Sequence, residues 1–262
     1  VSTKYFVDCS FESLYIRILT ELNERPEYVV NTRGEEAREI LNLSFELTNP
    51  YDRLVWNKGR ATNYDFAMRF FIWMLNGCDD FEYVADVNPN AKSYLNPNKA
   101  DVQAPKFSTA YGPRVARQLD AVIGELERDP GSRRAVISIL DEGDLAMLGT
   151  GTKEEFPCTE SLSFFIRENE LHCQVKMRSN NMVTTLVYDV FNFTMLQEYV
   201  YNRLKWGYKG RLVMGRYYQN CGSAHYFSSQ QELVEKVIRM ESEPMLVRKG
   251  YTQSGETTTV TK

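Results

Sequence analysis

Histidine is nearly missing from this 262-residue chain, which has only His172 and His225, and its five cysteines are widely scattered. Cys9, Cys78, Cys158, Cys173 and Cys221 form no CxxC pair, so no zinc-type cluster is expected. An odd, sparse set of thiols fits a reducing cytoplasm better than a disulfide framework. No apolar run approaches the length of a membrane span, and the first residues lack a signal-peptide pattern, so a cytoplasmic protein without membrane contact is expected. A basic excess is also lacking: the net charge is −4 and the pI about 5.5. That balance argues against direct nucleic-acid binding. It leaves room for a small anionic ligand, because a few local arginines suffice for one phosphate. There is no internal repeat, no linker composition and no glycine-rich dinucleotide fingerprint.

The composition is that of an ordinary globular chain, 43% hydrophobic and 25% charged, and one domain over residues 1–262 is expected, with a frayed polar tail from about 250. Leu14, Ile16, Ile18, Leu19 and Leu22 lie near helical spacing within 10–25, with Ser10 as cap. Residues 29–45 predict a strand, a turn at Gly34 and a second strand reaching Leu47. Residues 64–76 are apolar nearly all round and predict a buried helix ended by Gly77. The stretch 84–110, rich in Asn, Pro and Lys, predicts a long loop. Val115, Leu119, Val122, Ile123 and Leu126 share one face of a helix over 114–128, stopped by Asp129-Pro130-Gly131-Ser132. A strand follows at 135–140 and a glycine-rich loop at 143–156. Segments 161–167 and 171–178 predict a hairpin, the second arm alternating through Leu171, Cys173, Val175 and Met177. A helix over 190–204, a strand over 212–219 and a helix over 228–240 complete the pattern. Strands and helices mix without a βαβ rhythm, so the fold class is α+β.

The chemistry concentrates in 156–192. Cys158 follows a proline in a turn beside polar groups, where a thiol can serve as a nucleophile; Cys173 and Cys221 suit packing instead. Arg178-Ser179 ends a strand, and Arg133-Arg134 stands between a turn and a strand. Both places offer forked donors for phosphate, against the alternative of surface ion pairing. Asp189 lies between large apolar residues. It either caps the helix that follows or reads a base edge, as a carboxylate accepts from the exocyclic amine of cytosine. His225, in Gly222-Ser223-Ala224-His225, either bonds a sugar hydroxyl or is a structural histidine.

These segments together resemble the thymidylate synthase family, and within it the cytidylate and deoxycytidylate 5-hydroxymethylases. The resemblance rests on Asp129 through Arg134, Pro157-Cys158, Arg178-Ser179 through Asp189 without a gap, and Gly222 through His225. It implies a mixed twisted sheet at a dimer interface with helices around it. It implies that Cys158 adds to C6 of a pyrimidine nucleoside monophosphate, and that Arg178 and Ser179 hold the phosphate. Arg133 and Arg134 would enter the partner subunit's site in a homodimer, and His225 would meet the ribose. Arg33 lies near the family's mobile phosphate arginine. Asp189 and Thr159 stand where the methylating enzymes have a uracil-reading asparagine and a histidine. The implied substrate is therefore CMP or dCMP, and the implied one-carbon donor 5,10-methylenetetrahydrofolate.

Three positions depart from the family. Its water-ordering glutamate aligns with Phe70, its pterin-holding aspartate with Asn181 and its ribose-binding tyrosine with Phe227. Asp65, Asp79 and Asp80 are candidates for the missing carboxylate. Two other outcomes remain beside hydroxymethyl transfer: methyl transfer, and a nucleotide-binding homologue without catalysis.

Overall fold

In the computed structural model, residues 2–32, 34–80, 109–146, 148–149 and 156–240 are described. Arg33, the stretch 84–108 and the tail from Gly250 fall outside them. The elements in chain order are β1 (Tyr5–Asp8), α1 (Phe11–Glu24), β2 (Tyr28–Thr32), β3 (Glu35–Leu47), α2 (Tyr64–Leu75), α3 (Tyr111–Arg128) and β4 (Val136–Ser138). They continue with α4 (Glu142–Ala146), β5 (Thr159–Arg167), β6 (Glu170–Asn181), α5 (Leu186–Leu204), β7 (Val213–Phe227), a 3-10 turn (Ser228–Gln230) and α6 (Gln231–Arg239).

The strands form one mixed sheet in the order β1-β3-β7-β6-β5-β4, with β2 also paired to β3. The central pair, β6 and β7, is parallel; β3 and β5 flank it antiparallel. This is the α+β class expected, with the helices supplying the other half of the core. Among the described residues, no helix is long and apolar enough to cross a membrane.

Periodicity explains most of the packing. On α3, Val115, Leu119, Val122, Ile123 and Leu126 are all buried, each contributing about 1.5–3 kcal/mol of transfer free energy. Leu171, Cys173, Val175 and Met177 of β6 are buried in the same alternation the sequence shows. The β5–β6 hairpin pairs Arg167 with Glu170, leaving a two-residue turn in which Glu168 and Asn169 adopt φ of 51° and 64°. Two positive φ values in a two-residue loop match the right-handed twist of the strands.

Five elements differ from expectation. Helix α5 begins at Leu186 and not at 190, because the Asn181 side chain accepts from the N–H groups of Val183 and Thr184 and turns the chain there. Strand β7 runs on to Phe227, so Cys221 and the Gly222–His225 segment lie within the sheet. Strand β4 is only three residues long, and α4 occupies part of the expected glycine-rich loop. Helix α2 buries Ala67, Phe71, Trp73 and Met74 but leaves Met68 and Ile72 exposed, so it is covered on one side only.

Candidate active site

The candidate site lies where β6 and β7 end side by side. Parallel pairing sets Ser179 opposite Ser223 and Asn181 opposite His225. Cys158 precedes β5 and joins the same corner, because its carbonyl accepts the Arg178 N–H at 2.9 Å. The Arg178 side chain then closes on that turn. Its Nε donates to the Pro157 carbonyl at 2.8 Å and its Nη2 to the Phe156 carbonyl at 2.9 Å, and the guanidinium lies over the Phe156 ring. Nη2 also stands 3.9 Å from Cys158 Sγ. An exposed thiol beside a fixed cation is the setting that favours thiolate. Cys173 and Cys221 are buried, and burial raises both thiols, that of Cys221 to about 12. They pack, as their alternation implies.

Asp189 sits in the first turn of α5, not at its cap; Thr185 holds the cap position and accepts the Asp189 N–H at 2.9 Å through its carbonyl. The carboxylate oxygen Oδ2 accepts from Asn180 Nδ2 at 3.1 Å. Burial drives the Asp189 carboxyl up to about 7, while bonds from Asn180 and Thr185 pull it down. Desolvation thus favours the acid form of Asp189 well above the pH at which an exposed carboxyl gives up its proton.

Tyr111, at the start of α3, connects the two groups. Its hydroxyl accepts the Thr159 N–H at 3.1 Å, next to Cys158. Burial pushes the phenol far above its ordinary range, and negative charge on Cys158 or Asp189 raises it further. The phenol stays protonated and lies within electrostatic reach of both. No periodicity marks Tyr111; the available signal is an aromatic residue set before Gly112-Pro113 at a helix start. Gly112 is required there, since a Cβ would run into the Cys78 carbonyl oxygen.

The other expected residues divide. Thr159 is fully buried and its Oγ1 has no hydrogen-bond partner among the described residues. His225 Nδ1 lies 3.3 Å from Ser223 Oγ, with its ring edge-on to Phe227. Asn181 is engaged within the chain, since its Oδ1 caps the turn into α5 and its Nδ2 donates to Gln230 Oε1 at 2.9 Å. Arg133 and Arg134 are exposed at the far end of β4, level with Phe164, whose N–H bonds the Ala135 carbonyl. Five residues of β5 separate that level from Thr159, on the order of 15 Å. One chain does not bring them to Cys158. Arg134 instead pairs with Glu125 at 2.8 Å.

Phe66, Phe70 and Tyr188 form an aromatic surface between α2 and α5, with ring centroids 5.9 Å and 5.2 Å apart. Of the candidate carboxylates, Asp65 is turned to solvent in an ion pair with Arg69 at 3.1 Å.

The sheet ends thus bring an exposed cysteine, an arginine and a partly buried carboxyl to one corner of an α+β fold. The thymidylate synthase model matches residues 31–254, and the chain belongs to that family. It is similar to the deoxyuridylate hydroxymethyltransferase of Delftia phage PhiW-14, 28% identical over 213 residues, 77% of this chain and 56% of that protein. A second protein of that name, from Bacillus phage SP01, is 26% identical over 230 residues, 82% of this chain and 56% of its own length. The thymidylate synthase of Buchnera aphidicola is 25% identical over 174 residues, 64% of this chain and 61% of that enzyme. The chain thus spans less than two thirds of the length of these curated relatives. The phage names concern deoxyuridylate, not cytidylate.

Proposed function

We propose that this protein transfers a hydroxymethyl group to C5 of a cytosine nucleotide, CMP or dCMP. The observation that carries the reading is an exposed thiol with the Arg178 guanidinium 3.9 Å from its sulfur, and near it, coupled to the same Tyr111 phenol, a partly buried carboxyl raised by desolvation.

Cys158 adds as thiolate to C6. The C5=C6 electron pair moves between C5 and C4, and the former C4=N3 pair collects on N3. The acid form of Asp189 gives its proton to N3, leaving a neutral ring with a nucleophilic C5 and a carboxylate that accepts from the amino group. Arg178 and Ser179 hold the phosphate, and Arg178 also keeps the Pro157–Cys158 turn in place. Thr159, Asn181, His225 and Phe227 are assigned to the nucleotide and donor walls, with His225 at the sugar. The one-carbon donor is 5,10-methylenetetrahydrofolate, a co-substrate carrying carbon at the formaldehyde level, and the aromatic surface of Phe66, Phe70 and Tyr188 suits its ring. The sheet strands leave Tyr5, Val7, Leu41 and Val136 exposed, which favours a second copy of the chain as partner. In such a homodimer Arg133 and Arg134 serve the neighbouring site.

Incubation with CMP, dCMP, UMP or dUMP and methylenetetrahydrofolate, following formaldehyde incorporation, tests the substrate. The names of the phage relatives favour a second reading with a uracil nucleotide. Reaction of uracil nucleotides alone would select it. Dihydrofolate release would mark methyl transfer. Cys158→Ala should abolish exchange of the C5 hydrogen; exchange absent from the wild type as well would leave a binding protein.

A further inference from the structure

Behind Asp189 lies a buried polar column that the proposed reaction does not use. The Tyr217 hydroxyl donates to Gln219 Oε1 at 2.6 Å. Gln219 Nε2 donates to Met177 Sδ at 3.1 Å, and Asn180 Nδ2 reaches the same sulfur at 2.8 Å. Asn180 Nδ2 also holds Asp189 Oδ2, and the Thr185 hydroxyl donates to Asn180 Oδ1 at 2.8 Å. Asn180 and Gln219 are each 1% exposed, so neither amide can exchange these partners for water.

The Thr185 hydroxyl, which is nearer Asn180 Oδ1 at 2.8 Å than the Asn181 carbonyl at 3.1 Å, selects which end of the Asn180 amide faces Asp189. An amide with its oxygen satisfied by Thr185 offers only N–H to the carboxyl. Asn180 then holds the carboxyl at Oδ2, with the Thr185 side chain bonding it as well, and the base meets a defined edge. A carboxylic acid could otherwise present its donor and acceptor in either order, matching cytosine or uracil equally well.

We infer that Asn180, oriented by Thr185, is a positioning residue that sets how Asp189 presents its carboxyl and thereby the choice between cytosine and uracil. The inference rests on the proposed base-reading role of Asp189. Titration near neutrality in this cluster belongs to Asp189. The groups facing it from the other elements are Tyr111 on α3 and Tyr217 and Cys221 on β7. All three are raised by burial and stay neutral.

The test uses the full chain as Asn180→Ala, Thr185→Val, Thr185→Ser and Asp189→Asn. Carbon NMR of the side-chain carboxyl of Asp189 reads the positioning without turnover. Asn180→Ala removes a bond that favours the carboxylate, so the midpoint should move upward by about half a unit or more. Thr185→Val should move it the same way, and Thr185→Ser should restore it. The ratio of kcat/KM for cytosine over uracil nucleotides should fall about tenfold in the first two variants and recover in the third. An unmoved midpoint or an unmoved ratio in both Asn180→Ala and Thr185→Val overturns the inference. An unmoved ratio in Asp189→Asn overturns the base-reading role instead, while the NMR midpoint still decides whether Asn180 holds the carboxyl. Should Asn180→Ala fail to fold, Asn180→Ser takes its place, because the Thr185 side chain also bonds the Asp189 carboxyl directly and its variants move the midpoint by that route as well.

Discussion

Arg178 and Cys158 are joined twice: the Arg178 N–H bonds the Cys158 carbonyl at 2.9 Å, and the guanidinium Nη2 stands 3.9 Å from Sγ. The first contact belongs to the backbone and survives substitution, whereas the second does not. Arg178→Ala should therefore keep the turn roughly in place while removing the cation beside the thiol and the bonds to Phe156 and Pro157. Alkylation of Cys158 by iodoacetamide at neutral pH should slow by roughly tenfold, since the thiolate is the reacting form. Arg178→Lys should recover part of that rate but not nucleotide affinity, because an ammonium lacks the planar fork. Equal alkylation rates in wild type and Arg178→Ala would remove Arg178 from the activation of the thiol.

Asp189 makes the stability of the fold depend on pH in an identifiable direction. Burial raises its carboxyl from the ordinary 3.8 to about 7. The folded chain thus retains a proton that the unfolded chain has released between those values. Stability falls as pH rises through that window and levels off above it. Asp189→Asn carries no such penalty. Its Tm should match the wild type near pH 4 and exceed it by about 2–5 °C at pH 8, allowing for partial solvent screening. A constant difference across that range, measured by thermal unfolding, would contradict the burial of the charge.

The parts of this site legible in the sequence are those that follow a period. The buried face of α3 and the alternation of β6 are read directly, because each residue's neighbour in space is set by its spacing along the chain. The start of α5 is not legible that way. Val183, Thr184 and Thr185 favour extended backbone, and a side chain outside the helix, that of Asn181, begins it. The strand expected over 212–219 runs on through Gly222 to Phe227. Tyr111 follows a stretch with no period at all, and its value lies in one bond to Thr159 across 48 residues. Residue chemistry singles out Cys158, Arg178 and Asp189 in the sequence as candidates; it does not single out the amide and hydroxyl behind Asp189, since an Asn and a Thr near a helix start ordinarily read as capping residues.

Gly222 matters because β6 passes unusually close to it. A Cβ there would meet the Arg178 carbonyl oxygen at 2.7 Å and the Arg178 carbonyl carbon at 3.3 Å. These are backbone atoms of a paired strand and cannot swing aside. Gly222→Ala should separate β6 from β7 at Arg178 and displace the guanidinium from Pro157. The expected cost is about 1–3 kcal/mol in chemical denaturation. A rise in KM for the nucleotide should accompany it and exceed any fall in kcat. Wild-type KM in a folded Gly222→Ala protein would show that the close approach does not position Arg178.

Arg133 and Arg134 supply the sharpest test of assembly, because their distance from Cys158 within one chain is a matter of strand geometry. If they complete the neighbouring site, Cys158→Ala and the double substitution Arg133→Ala, Arg134→Ala damage different contributors to one composite centre. Each homodimer then has two defective sites. A mixed dimer has one site that lacks both the thiol and the arginines, and one that is whole. Random exchange of equal amounts makes half the dimers mixed, and half the sites in those are intact, so about a quarter of wild-type activity should return. If the arginines act in their own subunit, or only in surface ion pairs such as that of Arg134 with Glu125, mixing restores nothing. Activity measured after unfolding and co-refolding the two variants, compared with each refolded alone, separates these cases.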